Sequence, residues 1–311
     1  PLQTFPSWNT EHVLSGQYTK DLNTWFSDQF VCRDQNIHIK YLIQKTFGVK
    51  EIQDIFLTKQ GLIEKTAKPN KEQLERNLNA INTFKQNNPE LNVGFVTAPN
   101  AVSIKKEYLP KYAVTLNQDK QIDNIYSKLD DSIVKIDLRN TLKKHKDEYL
   151  YYKTDHHWTS LASYYAYQDI AKTFNLETTK QSDYTIYPVT TNFEGTLANK
   201  TGSVNIKDEI DIYVPKDKCD YVITDESTNK KSRTIYHSDA LETKDQYTVF
   251  MGGNKALFHI NVDNNSKRHL LLIKDSYANS LIPFLIPQFN SITVIDARYY
   301  FEDYKRLIKD D

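Results

Sequence analysis

Hydrophobic and polar positions along the chain change their spacing several times, and each spacing predicts a different kind of element. In "GQYTKDLNTWFSDQFVCRDQNIHIKYLIQKTFG" the apolar residues recur near helical spacing, which predicts two amphipathic helices. The residues that set this spacing are Leu22, Trp25, Phe26, Phe30, Ile37, Tyr41 and Ile43. The next segment, "DIFLTKQGLIEK", predicts a short hairpin that turns at residues 59–61. We assign residues 1–65 to an amino-terminal helical extension.

Helix and strand patterns alternate from residue 66 to about residue 155. A polar linker leads to a predicted helix over residues 72–86, and a buried strand follows over residues 93–97. Farther on, "QIDNIYSKLDD" and "RNTLKKHKDE" have helical patterns, whereas "SIVKIDL" and "YLYYKTD" have strand patterns. This alternation predicts an α/β fold in which helices flank a parallel sheet.

The pattern changes between about residue 178 and residue 265. Short alternating runs follow one another there, namely "DYTIYPV", "DIYVP", "CDYVITD", "RTIYHS" and "QYTVFMGGNKALFHINV". They predict an antiparallel, β-rich insertion. After it, "RHLLLIKDSYANSLIPFLIPQFNSITVIDARYY" predicts a compact strand, helix and strand. We therefore assign residues 66–311 to one α/β domain that the insertion divides.

Composition and charge exclude some classes of partner. The 40 basic and 40 acidic side chains cancel, so no broad positive field is available to bind nucleic acid or anionic lipid. Cys32 and Cys219 are too few for a disulfide framework or a thiolate metal site. The chain begins at Pro1 without a methionine or a signal-like segment, which we interpret as removal of a leader or anchor. These features by themselves leave the compartment open.

One serine occupies a position where α/β proteins place their reactive groups. In "LLIKDSYANS" an apolar strand pattern ends just before Ser276, and Pro283 suits the first turn of the helix that follows. Free backbone N–H groups and the helix dipole at such a position favour an oxyanion. Ser276 is therefore either a nucleophile or simply a residue that caps the helix.

The segment "KTDHHWTSLASYYAYQDIA" contains an acid and two histidines ahead of an amphipathic helix. Its apolar face predicts Thr159 as the helix N-cap and leaves residues 155–158 in a loop. In an extended loop, residues two apart point the same way, so Asp155 can reach His157 while His156 points elsewhere. A histidine held by a carboxylate is the general base that a serine nucleophile needs. Adjacent histidines in a loop rarely converge on one ion, so we predict no metal site.

The turn "FMGGNKALF" has two compatible interpretations. Glycine and asparagine tolerate positive φ, so the segment predicts a hairpin turn between two strands. It could also form an oxyanion hole, with a glycine N–H and the Asn254 amide as the donors.

Taken together, these segments resemble the DHHW-motif proteins of Gram-positive bacteria and, more distantly, the periplasmic alginate O-acetylation proteins. Both groups belong to the SGNH hydrolase-like superfamily, whose fold is a flavodoxin-like parallel sheet flanked by helices. The motifs that carry the resemblance are "WFSDQFVCRDQ", "YYKTDHHWTSLASYYAY", "GTLANKTGS", "KDSYANSLIPFL" and "VIDARYY".

The resemblance implies roles for particular residues. It makes Asp155, His157 and Ser276 a catalytic triad in which the acid and the base precede the serine. The oxyanion donors of the superfamily map onto Gly253 and Asn254. Further pocket candidates are Tyr277, Arg298 and Trp158, for which ion pairing or core packing is the alternative.

From this resemblance we expect an extracytoplasmic O-acetyltransferase that acts on hydroxyls of an exopolysaccharide or cell-wall glycan. We expect it at the cell surface or anchored to the membrane through a removed amino-terminal segment. An acetyl or carbohydrate esterase with the same triad is one alternative. A non-catalytic glycan-binding component of a polysaccharide-secretion system is the other. No cofactor is expected, and a membrane-bound O-acyltransferase is the implied source of acetyl groups.

Overall fold

The computed structural model describes residues 5–8, 10, 13, 17–28, 33–203 and 205–308. Phe30 and Cys32, used in the sequence analysis, lie outside the described residues, as do both ends of the chain. Among the helices of the described part, none is long and apolar enough to cross a membrane.

The helices and strands follow the predicted alternation over most of the chain. The α-helices are α1 (Gln17–Asp28), α2 (Arg33–Thr46), α3 (Lys71–Asn87), α4 (Ala101–Ile104), α5 (Gln118–Lys128), α6 (Arg139–Lys144), α7 (Ser160–Thr173), α8 (Thr196–Thr201) and α9 (Ile282–Leu285). The strands are β1 (Glu51–Ile52), β2 (Ile55–Thr58), β3 (Gly61–Glu64), β4 (Gly94–Thr97), β5 (Val134–Asp137), β6 (Tyr184–Phe193), β7 (Asp208–Pro215), β8 (Tyr221–Asp225), β9 (Lys230–Ser232), β10 (Leu257–Val262), β11 (His269–Lys274) and β12 (Ser291–Asp296).

The fold is a mixed α/β fold, but its strands do not form the single parallel sheet that the alternation predicted. In the described residues, β11 and β12 are parallel and belong to a five-stranded sheet in the order β11-β12-β10-β8-β9. The other pairings in that sheet are antiparallel. Strands β4 and β5 form a separate parallel pair. The alternation of helices and strands does not predict this mixed sheet, because β10, a strand of the insertion, pairs with the edge of β12 that β11 leaves open.

Three other local predictions are wrong. "RTIYHS" is not a strand, since it forms only an isolated bridge between Tyr236 and Phe250. "YLYYKTD" is not a strand, since only an isolated bridge between Tyr151 and Trp158 forms there. The glycines of "FMGGNKALF" do have positive φ, at 66° and 91°, but a 3-10 helix (Gln246–Val249) precedes them instead of a strand. The turn therefore connects a helical turn to β10 and is not a hairpin.

The compact unit around β11 and β12 is confirmed. Strand β11 leads through a 3-10 helix (Ser276–Ser280) and α9 to β12, and Pro283 lies in the first turn of α9. The apolar face of α7 packs against this unit in the main core, with Ala162, Ala166 and Tyr167 almost fully buried. Burial of these side chains fixes the end of α7 that carries the loop at residues 155–158.

The hairpin near residue 60 is confirmed and packs against Lys153, just before that loop. Strands β2 and β3 pair antiparallel, and the N–H of Leu62 donates to the carbonyl of Lys153 at 2.7 Å. Gly61 has φ +127°, and a Cβ placed on it would lie 2.7 Å from the Cα of Lys153. The backbone of Lys153 thus lies too close to Gly61 to leave room for a side chain there. The proposed division of the chain at residue 65 stays a prediction.

We predict that Gly61→Ala lowers the free energy of unfolding by about 2–4 kcal/mol, because it combines a strained φ with overlap against backbone atoms. Gly48→Ala is the matched control, since Gly48 also has positive φ but a Cβ added there would have nothing within 4 Å. The control should lose only about 1 kcal/mol. Denaturant unfolding measures both values, and equal losses would show that the contact with Lys153 is unimportant.

Candidate active site

Two loops that are distant in the sequence meet to form the site. Strand β11 ends at Lys274, and Asp275 caps the following 3-10 helix by accepting a hydrogen bond from the N–H of Tyr277 at 2.9 Å. Ser276 is therefore the first residue of that helix, directly after the strand. Thr159 is the N-cap of α7, as predicted, and the loop before it presents His157 to the serine.

The side chains of Asp155, His157 and Ser276 form a hydrogen-bonded chain. Oδ1 of Asp155 lies 2.6 Å from Nδ1 of His157, and Nε2 of His157 lies 2.9 Å from Oγ of Ser276. A carboxylate can only accept a hydrogen bond, so Nδ1 carries the proton and Nε2 is left to accept one from the serine. The arrangement suits removal of the serine proton by His157.

Asp155 is buried and receives hydrogen bonds on both of its oxygens. The backbone N–H of His157 also donates to Oδ1 at 3.0 Å. Oδ2 accepts from the N–H of Thr196 at 2.8 Å and from its hydroxyl at 2.9 Å. Gly195 lets this segment approach, since a Cβ there would lie 2.6 Å from Oδ2. The carboxylate is thus held from two directions.

These contacts keep Asp155 ionised. Burial opposes its charge, but the hydrogen bond and the charge of His157, with further help from His156 and Thr196, outweigh that effect. Together they hold the pKa of Asp155 below its ordinary value. An ionised Asp155 can stabilise a protonated His157 during proton transfer.

A second buried carboxylate, that of Asp208, binds the residues directly before the loop. Asp208 accepts hydrogen bonds from the backbone N–H of Lys153 at 2.8 Å and of Thr154 at 2.7 Å. The hydroxyls of Thr154 and Tyr149 also donate to it. Asp208 lies at the start of β7, so the β-rich region supports the loop through this residue.

Trp158 and Tyr277 fasten the two loops to each other. The indole N–H of Trp158 donates to the carbonyl of Tyr277 at 2.8 Å, and the hydroxyl of Tyr277 donates to the carbonyl of His156. Trp158 is only 2% exposed, which matches the core-packing alternative, and a pocket role stays a prediction. Tyr277 remains partly exposed, with its ring 5.1 Å from that of His157.

Tyr247 also contacts both His157 and Ser276, and no pattern in the sequence indicates that it does. Its ring stacks on the imidazole of His157, with centroids 3.9 Å apart and planes 9° apart. Its hydroxyl donates to the carbonyl of Ser276 at 3.1 Å. Burial raises the pKa of Tyr247, which keeps its hydroxyl protonated and able to donate.

His156 does not point away from the site as the extended-loop geometry predicted. Its ring lies 4.0 Å from that of His157, and its Nδ1 lies 2.8 Å from the hydroxyl oxygen of Thr196. Burial, and then the neighbouring His157, lower the pKa of His156. One donor atom each from Asp155, His156 and His157 falls within 4.8 Å of the others, a spacing that could hold a metal ion. A metal using Oδ1 of Asp155 and Nδ1 of His157 would have to replace the hydrogen bond between them, and the expectation of no metal stays a prediction.

The structure corrects part of the expected oxyanion hole. The N–H of Gly253 donates to the carbonyl of Phe250 at 3.4 Å, which closes the glycine turn, so this donor is engaged. The N–H of Ser276 has no acceptor among the described residues. Oδ1 of Asn254 accepts from Lys274 at 3.4 Å and from Asn279 at 3.3 Å, which leaves the amide nitrogen of Asn254 available as a donor.

Arg298 has an ion-pair partner. Its guanidinium donates to both oxygens of Asp296, at 2.8 and 2.6 Å, and this contact raises the pKa of Arg298. Asp296 is fully buried and also lies 3.6 Å from the ammonium of Lys274. These contacts match the ion-pairing alternative for Arg298, and a pocket role stays a prediction.

Of the residues that support the site, some could have been found from the sequence and others could not. Thr196 falls in "GTLANKTGS", a segment that carried the family resemblance, so its importance had a signal. Tyr247 is one of 21 tyrosines and follows no motif of its own. Its role depends on a contact across the fold, which local spacing does not encode.

Comparisons with known proteins identify the class of the chain. The family model of the DHHW proteins matches residues 89–295, a range that includes all three residues of the hydrogen-bonded chain. The protein therefore belongs to the DHHW family. A search of curated proteins found no significant match.

Solved structures support the same fold. A DHHW family protein from Eubacterium siraeum is 26% identical, with 82% of this chain and 86% of that chain covered and a TM-score of 0.70. Bacillus cereus PatB1, in a structure with a sulfonyl adduct, is 21% identical, with 81% and 89% covered and a TM-score of 0.68. The O-acetyltransferase domain of Pseudomonas putida AlgJ is 17% identical, with 51% and 64% covered and a TM-score of 0.41.

If His157 is the base, replacing it should reduce ester turnover far more than replacing His156. We predict that His157→Ala lowers turnover of a small acetyl ester by about 10⁴-fold, the cost of losing a member of such a triad. His156→Ala should cost about tenfold or less, because His156 contacts Thr196 and not Ser276. Steady-state kinetics with and without added zinc measures both. Equal losses, or a loss reversed by zinc, would favour a metal site instead.

Proposed function

We propose that this protein is an extracytoplasmic serine O-acetyltransferase that acetylates hydroxyls of an exopolysaccharide or cell-wall glycan. The observation that carries the proposal is the hydrogen-bonded chain from Asp155 through His157 to Ser276. Membership of the DHHW family is consistent with it. The glycan itself and the location outside the cytoplasm are parts of the proposal that rest on the family resemblance alone.

In the first half of the reaction, the acetyl group moves to the protein. Nε2 of His157 takes the proton of Ser276 as the serine oxygen attacks the carbonyl carbon of the acetyl donor. The oxyanion that forms is stabilised by the N–H of Ser276 and the amide of Asn254. The bond to the donor oxygen or sulfur then breaks, and that atom leaves with the proton from His157. The product is an acetyl ester on Ser276.

In the second half, a glycan hydroxyl gives its proton to Nε2 of His157 and attacks the acetyl carbonyl of the ester. A second tetrahedral oxyanion forms and collapses. The serine oxygen leaves and recovers the proton, and the acetyl group remains on the glycan. Asp155 stabilises the protonated His157 in both halves.

An esterase would use the same residues, with water in place of the glycan hydroxyl. The two functions therefore differ only in which acceptor reaches the acetyl ester first. A transferase has to bind its acceptor well enough to compete with water at a high concentration. For this reason the acceptor, and not the triad, is what an experiment has to vary.

The source of acetyl groups is a further part of the proposal. Acetyl-CoA is not expected outside the cytoplasm, so we propose that a membrane-bound O-acyltransferase delivers the acetyl group. A polysaccharide is the proposed acceptor. The equal numbers of acidic and basic side chains give no reason to prefer a strongly charged polymer.

We predict that the protein cleaves 4-nitrophenyl acetate and that neutral oligosaccharides divert part of the acetyl group from water. Mass spectrometry of the oligosaccharides and release of acetate measure the two products. Ser276→Ala should reduce both by about 10⁴-fold. Ser127→Ala, at an exposed serine of α5 that bonds only its own helix, should have no effect.

The outcomes separate the candidate functions. Hydrolysis that no acceptor diverts would contradict the transferase and favour the esterase. Wild-type turnover in Ser276→Ala would contradict Ser276 as the nucleophile. No turnover in the wild type would contradict a serine enzyme and favour a non-catalytic glycan-binding protein.

A further inference from the structure

We propose that Tyr247 is a positioning residue that holds both His157 and Ser276 in their reacting geometry. The inference rests on the proposed function and extends it to a residue outside the triad. It is based on three observations: a ring stack, a hydrogen bond, and the burial of the tyrosine in a core of the β-rich region.

The ring of Tyr247 restricts the plane of the imidazole. The two rings are almost parallel, with planes 9° apart and centroids 3.9 Å apart. Rotation of the imidazole about its bond to Cβ would drive its edge into the tyrosine ring. The hydrogen bond to Asp155 fixes one end of His157, and the stack fixes the tilt of the other end, which faces Ser276.

The hydroxyl of Tyr247 holds the serine. It donates to the carbonyl of Ser276 at 3.1 Å and lies 3.3 Å from the hydroxyl oxygen of Ser280, at the other end of the same 3-10 helix. That helix is only five residues long, so it depends on such contacts for its position. One side chain thus contacts the base by its ring and the backbone of the nucleophile by its hydroxyl.

Tyr247 can act as a fixed reference because it cannot move easily itself. It is 4% exposed and packs with Phe250 and Tyr152, at ring distances of 5.2 and 6.2 Å. It belongs to the same small core as Phe193 and Ile210, from the paired strands β6 and β7. The separation of His157 from Ser276 is therefore tied to the packing of the β-rich region.

A positioning role for Tyr247 predicts a change in kcat, which a purely structural role does not. A tyrosine that only fills the core should change the stability when it is replaced, but leave kcat unchanged in the folded protein. A tyrosine that aligns the base with the nucleophile should change kcat for ester turnover and leave KM almost unchanged. It should also change the rate at which a sulfonyl fluoride modifies Ser276, since that reaction needs an activated serine.

Two variants separate the ring from the hydroxyl. Tyr247→Phe keeps the stack and removes the hydrogen bond, so we expect kcat for 4-nitrophenyl acetate to fall about threefold to tenfold. Tyr247→Leu removes both contacts, so we expect a fall of about a hundredfold, comparable to the cost of a small displacement of reacting groups. Inactivation by phenylmethylsulfonyl fluoride, followed by mass spectrometry of the Ser276 peptide, should slow in the same order.

Tyr213 supplies the matched control. It is also 4% exposed and lies in β7, but it packs against Tyr164, Tyr184 and Phe284 and not against the triad. Tyr213→Leu should lower the melting temperature about as much as Tyr247→Leu and leave kcat within about twofold of the wild type. Melting temperatures and near-ultraviolet circular dichroism identify the variants that fold. If Tyr247→Leu does not fold, Tyr247→Phe against Tyr213→Phe provides the same comparison.

The outcomes distinguish this inference from the proposed function. If the wild type turns over the ester and the folded Tyr247 variants match their Tyr213 controls in kcat and in inactivation rate, the positioning role is wrong and the proposed function stands. If the wild type neither turns over the ester nor reacts with the sulfonyl fluoride, the proposed function is wrong and this inference falls with it. A graded loss in kcat, with KM unchanged, supports both.

Discussion

A buried carboxylate is costly unless hydrogen-bond donors surround it, and Asp155 obtains its donors from two separate parts of the chain. One oxygen accepts from the ring and the backbone of His157, and the other accepts from the N–H and hydroxyl of Thr196. The loop at residues 155–158 therefore cannot rearrange without leaving a buried charge unpaired. The direction of His157, and with it the contact to Ser276, follows from this constraint.

The β-rich region is part of the support for the site. From this region, Thr196 donates a hydrogen bond to Asp155, and Asp208 accepts one from the backbone N–H of Thr154. The ring of Tyr247, from the same region, stacks on the ring of His157. The parallel pair β11 and β12 supplies Ser276 at the end of a strand. Residues that are far apart in the sequence thus meet around one imidazole, and the packing of two regions sets the distance between His157 and Ser276.

Features that depend on short-range spacing could be predicted from the sequence, and features that depend on distant contacts could not. The position of Ser276 after β11, the N-cap at Thr159 and the pairing of Asp155 with His157 all involve residues close together in the chain. The single parallel sheet was wrong because β10 pairs with β12, a choice that no local pattern specifies. Likewise, positive φ in the glycine turn was foreseeable, but the use of the Gly253 N–H to close that turn was not.

The most direct test of a serine acetyltransferase is to find the acetyl group on Ser276 during turnover. The protein is mixed with an activated acetyl ester and quenched in acid within the first turnover, and its peptides are analysed by mass spectrometry. We predict one acetyl group on the Ser276 peptide, lost when an oligosaccharide acceptor is added before the quench, with the acetyl group recovered on the oligosaccharide. Turnover with an unmodified Ser276, or with the acetyl group on a different residue, would contradict this account.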